Sequence, residues 1–224
     1  MPQLARIEAP ASIELWRVDL LVEPTLGELA LLSADEQARA ARFVFPHDRR
    51  RFRAAHVALR RLLAARTGRA AQSLAFSAGP FGKPSLVGGA PTCTFNLSHS
   101  ADVALIALAP SVELGVDVEV LRSVDDALEL AVRNFSSAES AQLRSTAATE
   151  RDRAFLRCWT RKEACLKAIG SGLSIAPETF EAGLDPRPRL VRIATPSSVV
   201  SVEVHSLDDA DGVIGAIAWI GQPS

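Results

Sequence analysis

The 224-residue chain is 48% hydrophobic and carries 25 basic against 26 acidic residues. That much apolar sequence can bury one large core or two smaller ones, while near-neutral charge excludes general nucleic-acid binding and strongly acidic partners on bulk electrostatics. No apolar run approaches the ~20 residues that span a bilayer, and Met1 to Pro10 lacks the continuous apolar core of a secretory signal. A cytoplasmic monomer without membrane or nucleic-acid partners is expected.

In chain order, alternating apolar residues predict an opening strand near Ser12 to Leu20. Ser33-Ala34-Asp35-Glu36 has capping-box spacing and should start a short helix ending near Arg42. Asp48 is expected to cap the next helix, which carries Phe52, Ala55, Leu59, Leu62 and Leu63 on one side and stops at Gly68. Gly79 to Pro91, rich in Gly and Pro, reads as loop, and strands follow at Thr92 to Leu97, Val103 to Ala109 and Leu114 to Val120. Ser123 and Ser136-Ser137-Ala138-Glu139 are expected to cap two helices, and a long helix runs from about Glu150 to Ile169. The remaining sequence is β-rich, with strands at Thr179 to Leu184, Leu190 to Ala194, Val199 to His205 and Val213 to Ile220. Each half thus holds helices and a few strands, an α+β arrangement of two lobes, 1–110 and 111–224, with no sequence repeat and no low-complexity linker. Cys93, Cys158 and Cys165 have no C-x-x-C spacing and read as reduced thiols.

The long helix contains Trp159-Thr160-Arg161-Lys162-Glu163-Ala164. At about 100° per residue, Phe155, Leu156, Trp159, Leu166 and Ile169 share one arc, and Lys162 and Glu163 fall inside it, whereas Arg157 and Arg161 point outward. A carboxylate on a buried face needs a cation or a positive partner; a Glu163–Lys167 pair at i,i+4, worth ~0.3–0.5 kcal/mol, would also account for it. In Leu114-Gly115-Val116-Asp117-Val118-Glu119-Val120 the period of two places Asp117 and Glu119 on one face, about 6–7 Å apart. Such a pair is either a solvated strand face or two oxygen ligands for a hard cation such as magnesium.

Eight arginines between Arg42 and Arg66 stand against one acid, Asp48. They suit phosphate or decorate ordinary amphipathic helices. His56 falls on the apolar side with Phe52 and Leu59, as a core histidine. Phe81-Gly82-Lys83-Pro84 holds a lysine in a constrained loop, and Phe95-Asn96-Leu97-Ser98-His99-Ser100 places Ser98 and His99 at a strand end, both able to meet a phosphate. Ser98-His99 does not suit a serine hydrolase, because adjacent residues diverge on extended backbone and no G-x-S-x-G elbow is present.

Taken together, F-G-K-P at Phe81, N-L-S-H-S at Asn96, G-V-D-V-E at Gly115, R-N-F-S at Arg133 and W-T-R-K-E-A at Trp159 resemble the 4'-phosphopantetheinyl transferases of the larger, surfactin-synthetase-activating type. The resemblance runs from about Arg42 to Leu173. It implies two similar α/β lobes related by a pseudo-twofold, with coenzyme A and Mg²⁺ in the cleft between them. By motif position it implies that Asp117, Glu119 and Glu163 ligate the metal and that Lys162 and Lys167 neutralise phosphate charge. Lys83 and Pro84, Ser98 and His99 would hold the nucleotide, with Arg49 and Arg53 adding positive charge.

The implied reaction transfers 4'-phosphopantetheine from coenzyme A to a serine of an apo acyl or peptidyl carrier protein and releases 3',5'-ADP. Metal and lysines would neutralise phosphoryl charge, and Glu163 is the candidate general base. A non-catalytic coenzyme A or nucleotide-binding module would need the anion contacts without three converging acids, and a magnesium-dependent phosphodiesterase the acids without the nucleotide contacts. Fatty acid, polyketide, nonribosomal peptide and aminoadipate carriers all remain open as acceptors.

Overall fold

The computed structural model describes residues 3–9, 12–88, 93–209 and 211–221. The chain divides into two units, Met1–Ala78 with Pro84–Ser111, and Gly79–Lys83 with Val112–Ser224. The first contains β1 (Leu4–Ile7), β2 (Glu14–Asp19), α1 (Leu26–Leu29), α2 (Ala34–Ala41), α3 (Pro46–Thr67), β3 (Phe76–Ala78), β4 (Pro84–Leu86), β5 (Thr94–Ser100) and β6 (Val103–Ala109). Its main sheet is antiparallel, in the order β1-β2-β6-β5.

Local chemistry sets these boundaries. The Ser33 hydroxyl accepts the Glu36 N–H at 3.2 Å and the Glu36 carboxylate accepts the Ser33 N–H at 2.8 Å, closing the expected capping box of α2. Ser33→Ala is expected to cost about 1 kcal/mol, read as a lower urea midpoint. Helix α3 starts earlier than expected: Pro46 occupies its first position, where its missing N–H is harmless, and Asp48 lies inside the first turn rather than at the cap. The helix ends at Gly68, whose φ of 70° suits glycine. Its apolar side, Ala54, Ala55, Ala58, Leu59, Leu62 and Leu63, packs on Val18, Leu20, Phe95, Ala104, Ile106 and Leu108 of the sheet.

Part of the expected loop is ordered as a hairpin, with Phe76–Ala78 paired to Pro84–Leu86; Pro84 is tolerated there because it opens a strand of a two-stranded ribbon. Pro91 and Thr92, the expected end of that loop and start of the next strand, lie outside the described residues. Strand β1 carried no signal that marked it in advance.

The second unit runs β7 (Leu114–Val120), α4 (Ala127–Asn134), α5 (Ser137–Ser145), α6 (Ala148–Ile169), β8 (Arg189–Ala194), β9 (Val199–Ser206) and β10 (Val213–Ile220). Its antiparallel sheet has the order β7-β10-β9-β8. Ser136 and Glu139 form the expected capping box of α5. Ser123 does not cap α4; Asp126 precedes the helix, and Ser123 donates to Asp125 Oδ1 at 2.9 Å. Residues 179–184 are not a strand. A 3₁₀ turn at Pro177–Thr179 leads into irregular chain whose carbonyls serve buried side chains of α6.

Ala164, Cys165 and Ala168 of α6 pack on Val191, Ile193, Val202, Val204, Ala216 and Ala218. The three cysteines are free and buried. Among the described residues no helix is long and apolar enough to cross a membrane.

Each unit repeats one connectivity. A strand leads through three helices, the last of 22 residues, to a hairpin whose second strand returns beside the first: β2-β6-β5 in one, β7-β10-β9 in the other. Strand β1 is added outside β2, and β8 outside β9.

Candidate active site

The site in the second unit begins at a glycine. A Cβ on Gly115 would clash with the backbone atoms Ala164 O and Ala168 N and lie 2.7 Å from Lys167 Cβ, so α6 crosses β7 in backbone contact there. Only glycine permits that approach. Asp117, two residues along the strand, is 6% exposed. Lys167 reaches it from α6, its ammonium donating to Asp117 Oδ1 at 2.6 Å and to Val116 O at 3.2 Å.

Glu163 lies one helical turn before Lys167 and is half-buried. Burial raises its proton affinity, the Asp117 charge raises it further, and Lys167 partly offsets both. Among the described residues Glu163 has no hydrogen-bond or ion-pair partner. A short i,i+4 pair with Lys167 does not account for it, since that ammonium is directed at Asp117. Nor is the Asp117–Glu119 face simply solvated, because Asp117 is buried and Glu119 half-buried.

Among the described residues no three His, Cys, Asp or Glu side chains are gathered as a metal cluster. The fold does bring the Asp117 and Glu163 carboxylates within electrostatic reach of each other and of Lys167. Two oxygen donors still fit a magnesium ion, which characteristically takes one or two carboxylates and fills its other positions with water and phosphate. The partnerless Glu163 beside a second acid is the observation in favour of that fit.

Comparison with known proteins bears on most of the chain. Residues 113–217 match the 4'-phosphopantetheinyl transferase superfamily and residues 23–111 match the N-terminal region of 4'-phosphopantetheinyl transferase. The 4'-phosphopantetheinyl transferase HetI of Nostoc sp. is 37% identical over 214 residues, 93% of this chain and 88% of that protein. The chain belongs to the 4'-phosphopantetheinyl transferase superfamily, in its larger type. The transferase psf-1 of Bacillus pumilus is 31% identical over 180 residues, 80% of this chain and 76% of its own. The protein slr0495 of Synechocystis sp. is 42% identical over 149 residues, which span 66% of this chain and 61% of that protein.

Against the transferase expectation, Lys162 requires a correction. It is 1% exposed, and its three donors are filled by Glu139 Oε2 at 2.7 Å, Pro177 O at 2.8 Å and Phe180 O at 2.5 Å. An ammonium so engaged has no donor left for a phosphate. Glu139, anticipated only as a capping residue, is the partner that was missed. Its Oε1 accepts the Gly183 N–H at 2.8 Å and its Oε2 the Ser136 N–H at 2.9 Å.

Burial alone would raise the Glu139 carboxyl. The Lys162 charge and the N–H donors of Gly183 and Ser136 outweigh it and hold the group below its ordinary 4.5. A carboxyl depressed in the fold contributes stability above the unfolded value and loses it as pH falls through the folded one. The melting temperature is therefore expected to fall as the pH drops below 4.5, and less steeply once Glu139 and Lys162 are both made neutral.

Arg161 is also corrected. It is not a surface residue but 1% exposed, donating to Ala182 O at 2.7 Å and Ser206 Oγ at 3.0 Å. Helix α6 is covered on more than its sheet face, because the chain at 177–184 lies against the side that periodicity assigned to solvent. Arg157 does lie nearer the surface and pairs with Asp208 at 2.6 Å.

Lys83, grouped with the second unit, donates to Glu113 Oε2 at 2.6 Å and to Leu114 O and Ala168 O at 3.1 Å each. It ties the start of β7 to the end of α6, and a phosphate would have to displace the exposed Glu113 carboxylate. Pro84 opens β4 beside it.

In the first unit, acids from distant sequence meet the arginine cluster. Arg50 and Arg51 hold Asp102 at 2.8 and 2.9 Å, Arg53 holds Glu23 at 3.0 Å, Arg61 holds Glu28 at 3.3 Å and Arg66 holds Glu14 at 3.1 Å. Arg49 donates to Phe43 O at 3.2 Å, while its Nε is buried with no partner among the described residues. His56 stacks on Phe52, with ring centroids 3.8 Å apart, and its Nδ1 lies 2.9 Å from Phe52 O, as befits a packed histidine. Ser98 is buried and His99 exposed, both within β5 rather than just beyond it.

Proposed function

We propose that the protein transfers 4'-phosphopantetheine from coenzyme A to a serine of an apo acyl or peptidyl carrier protein, with Mg²⁺, in the cytoplasm and as a monomer. The reading is supported above all by Asp117, Glu163 and Lys167, which two elements locked together at Gly115 hold side by side in a chain of this family. In the transfer, the carrier serine oxygen bonds to the β-phosphorus of coenzyme A as the bond from that phosphorus to the bridging oxygen breaks, releasing 3',5'-ADP.

Glu163 accepts the serine proton; its burial and the nearby Asp117 charge make it a stronger base than an exposed carboxylate. Lys167 moves its charge from Asp117 to the phosphoryl oxygens or the leaving group, where negative charge builds. Asp117 and Glu163, with Glu119 two residues along the strand, would hold the Mg²⁺, which supplies charge neutralisation at the pyrophosphate. The nucleotide end is assigned to residues 1–110: Ser98 and His99 on β5, Arg49 through the Nε that has no partner among the described residues, with Arg53, Lys83 and Pro84 as further contacts. Residues 111–224 carry the metal and proton-transfer groups. The pseudo-twofold and inter-lobe cleft belong to the same proposal and rest on the family resemblance.

The test is a panel of apo acyl and peptidyl carriers incubated with the protein, coenzyme A and Mg²⁺, with 3',5'-ADP and loaded carrier quantified together by chromatography. Equal amounts of both are expected with at least one carrier. 3',5'-ADP without loaded carrier would point to a phosphodiesterase, and binding without either product to a non-catalytic module.

A further inference from the structure

Lys162 and Arg60 occupy one position in two copies of the same substructure. Each is the fifteenth residue of a 22-residue helix that ends on a left-handed glycine, Gly170 for α6 and Gly68 for α3. Each is 1% exposed. Each pairs, at 2.7 Å, with the glutamate that closes the capping box of the preceding helix: Glu139 of the Ser136 box and Glu36 of the Ser33 box. Each also donates to two carbonyls of the chain after the helix, Pro177 and Phe180 for Lys162, Ala71 and Leu74 for Arg60. Each cation also lies over a phenylalanine ring there, Phe180 at 4.6 Å and Phe76 at 5.1 Å.

The surroundings of the two copies differ in the groups that chemistry would use. The residue after the cation is Glu163 in α6 but Arg61 in α3, and Arg61 is engaged with Glu28. The residues that pack from the first strand onto the long helix include Val18 in the first unit, where the second presents Asp117 beside α6. The cation–glutamate pair is thus complete in a unit that lacks the carboxylates.

We infer that Lys162 and Glu139 form a positioning staple, the second copy of the Arg60–Glu36 staple. It fixes the rotation of α6 so that Glu163 meets Asp117, and it does not touch the phosphates of the substrate. A residue kept to bind the pyrophosphate beside Glu163 would have no reason to recur where the next residue is Arg61, held by Glu28, whereas a device that sets a helix against its neighbours recurs with the fold. Buried cations of this kind are costly when one partner is removed and far less so when both are. The inference rests on the proposed function for its kinetic and coenzyme A readouts but not for its melting comparison.

The test compares wild type with Lys162→Met, Glu139→Gln and the double variant in three measurements. They are the melting temperature, the coenzyme A dissociation constant in EDTA, and kcat for carrier loading. Each single variant is expected to melt lower than the double and to lose about tenfold or more in kcat, with the double recovering most of both. The coenzyme A dissociation constant without divalent cation is expected to stay within about threefold of wild type in all that fold.

A double variant that binds coenzyme A about tenfold or more weakly, or whose melting loss equals the sum of the single losses, would overturn the staple. Should Lys162→Met fail to fold, Glu139→Gln decides. Tighter coenzyme A binding would mean that a freed Lys162 contacts phosphate, while unchanged binding with lower kcat upholds the staple. If wild type loads no carrier, the proposed function fails while the melting comparison, joined by the binding comparison where coenzyme A still binds, judges the staple.

Discussion

Gly115→Ala is expected to destabilise the protein by about 3 kcal/mol, at the upper end of what a single added methyl costs in a packed interior. The obstructing atoms decide the magnitude. Two of the three nearest the new Cβ are backbone atoms of α6, Ala164 O and Ala168 N, and the third is the Lys167 Cβ. A flexible side-chain tip could swing aside, but a helix backbone moves only as a unit, so α6 must lift from β7. Cys165 and Ala168 would then separate from the sheet, and Lys167 would leave Asp117, now 2.6 Å away. Urea unfolding should show the loss as a lower midpoint with unchanged slope, and any folded fraction should transfer slowly. A midpoint equal to wild type would mean that the helix does not lie as close to the strand as described.

Asp117→Asn and Glu163→Gln are each expected to reduce carrier loading by about a hundredfold or more, with opposite signatures in stability. Asp117 is buried and carries the Lys167 ion pair, so its neutralisation leaves a cation poorly compensated and should lower the melting temperature. Glu163 is half-buried, without a partner among the described residues and repelled by Asp117. Removing its charge relieves desolvation and repulsion together, so Glu163→Gln should melt no lower than wild type in the absence of divalent cation. Loss of activity without loss of stability is the mark of a residue kept for chemistry rather than for the fold. Wild-type loading by either variant would remove the proposed metal and proton-transfer roles.

The parts of this fold that local chemistry dictates were legible in the sequence. Capping boxes at Ser33 and Ser136 and the stop at Gly68 bound the helices, because each satisfies backbone groups within a few residues. Strands at Val103 and Leu114 follow from unbroken apolar or alternating runs. The parts that depend on distant chain were not legible. Periodicity put Arg161 on the surface because nothing in the helix itself foretells that residues 177–184 cover that side. The arginine cluster looked unpaired because Glu14, Glu23, Glu28 and Asp102 arrive from other elements.

Lys162 was correctly placed on the buried side, but burial and phosphate binding make the same demand for charge, and only Glu139 separates them. Gly115 was read as one letter of a motif, and its physical reason, contact with the α6 backbone, is visible only in three dimensions. The repetition of connectivity between the two units is likewise absent from the sequence, since it survives in strand order and in the Arg60 and Lys162 pairs rather than in residue identity.

The most direct measurement is the intact mass of an apo carrier protein after incubation with coenzyme A, Mg²⁺ and either wild type or Asp117→Asn. Wild type is expected to add one phosphopantetheine unit at the carrier serine, and the variant to leave the carrier unmodified over the same interval. A carrier whose mass does not change with wild type across acyl and peptidyl types, or one that gains the unit equally with both proteins, would contradict the assignment of this site.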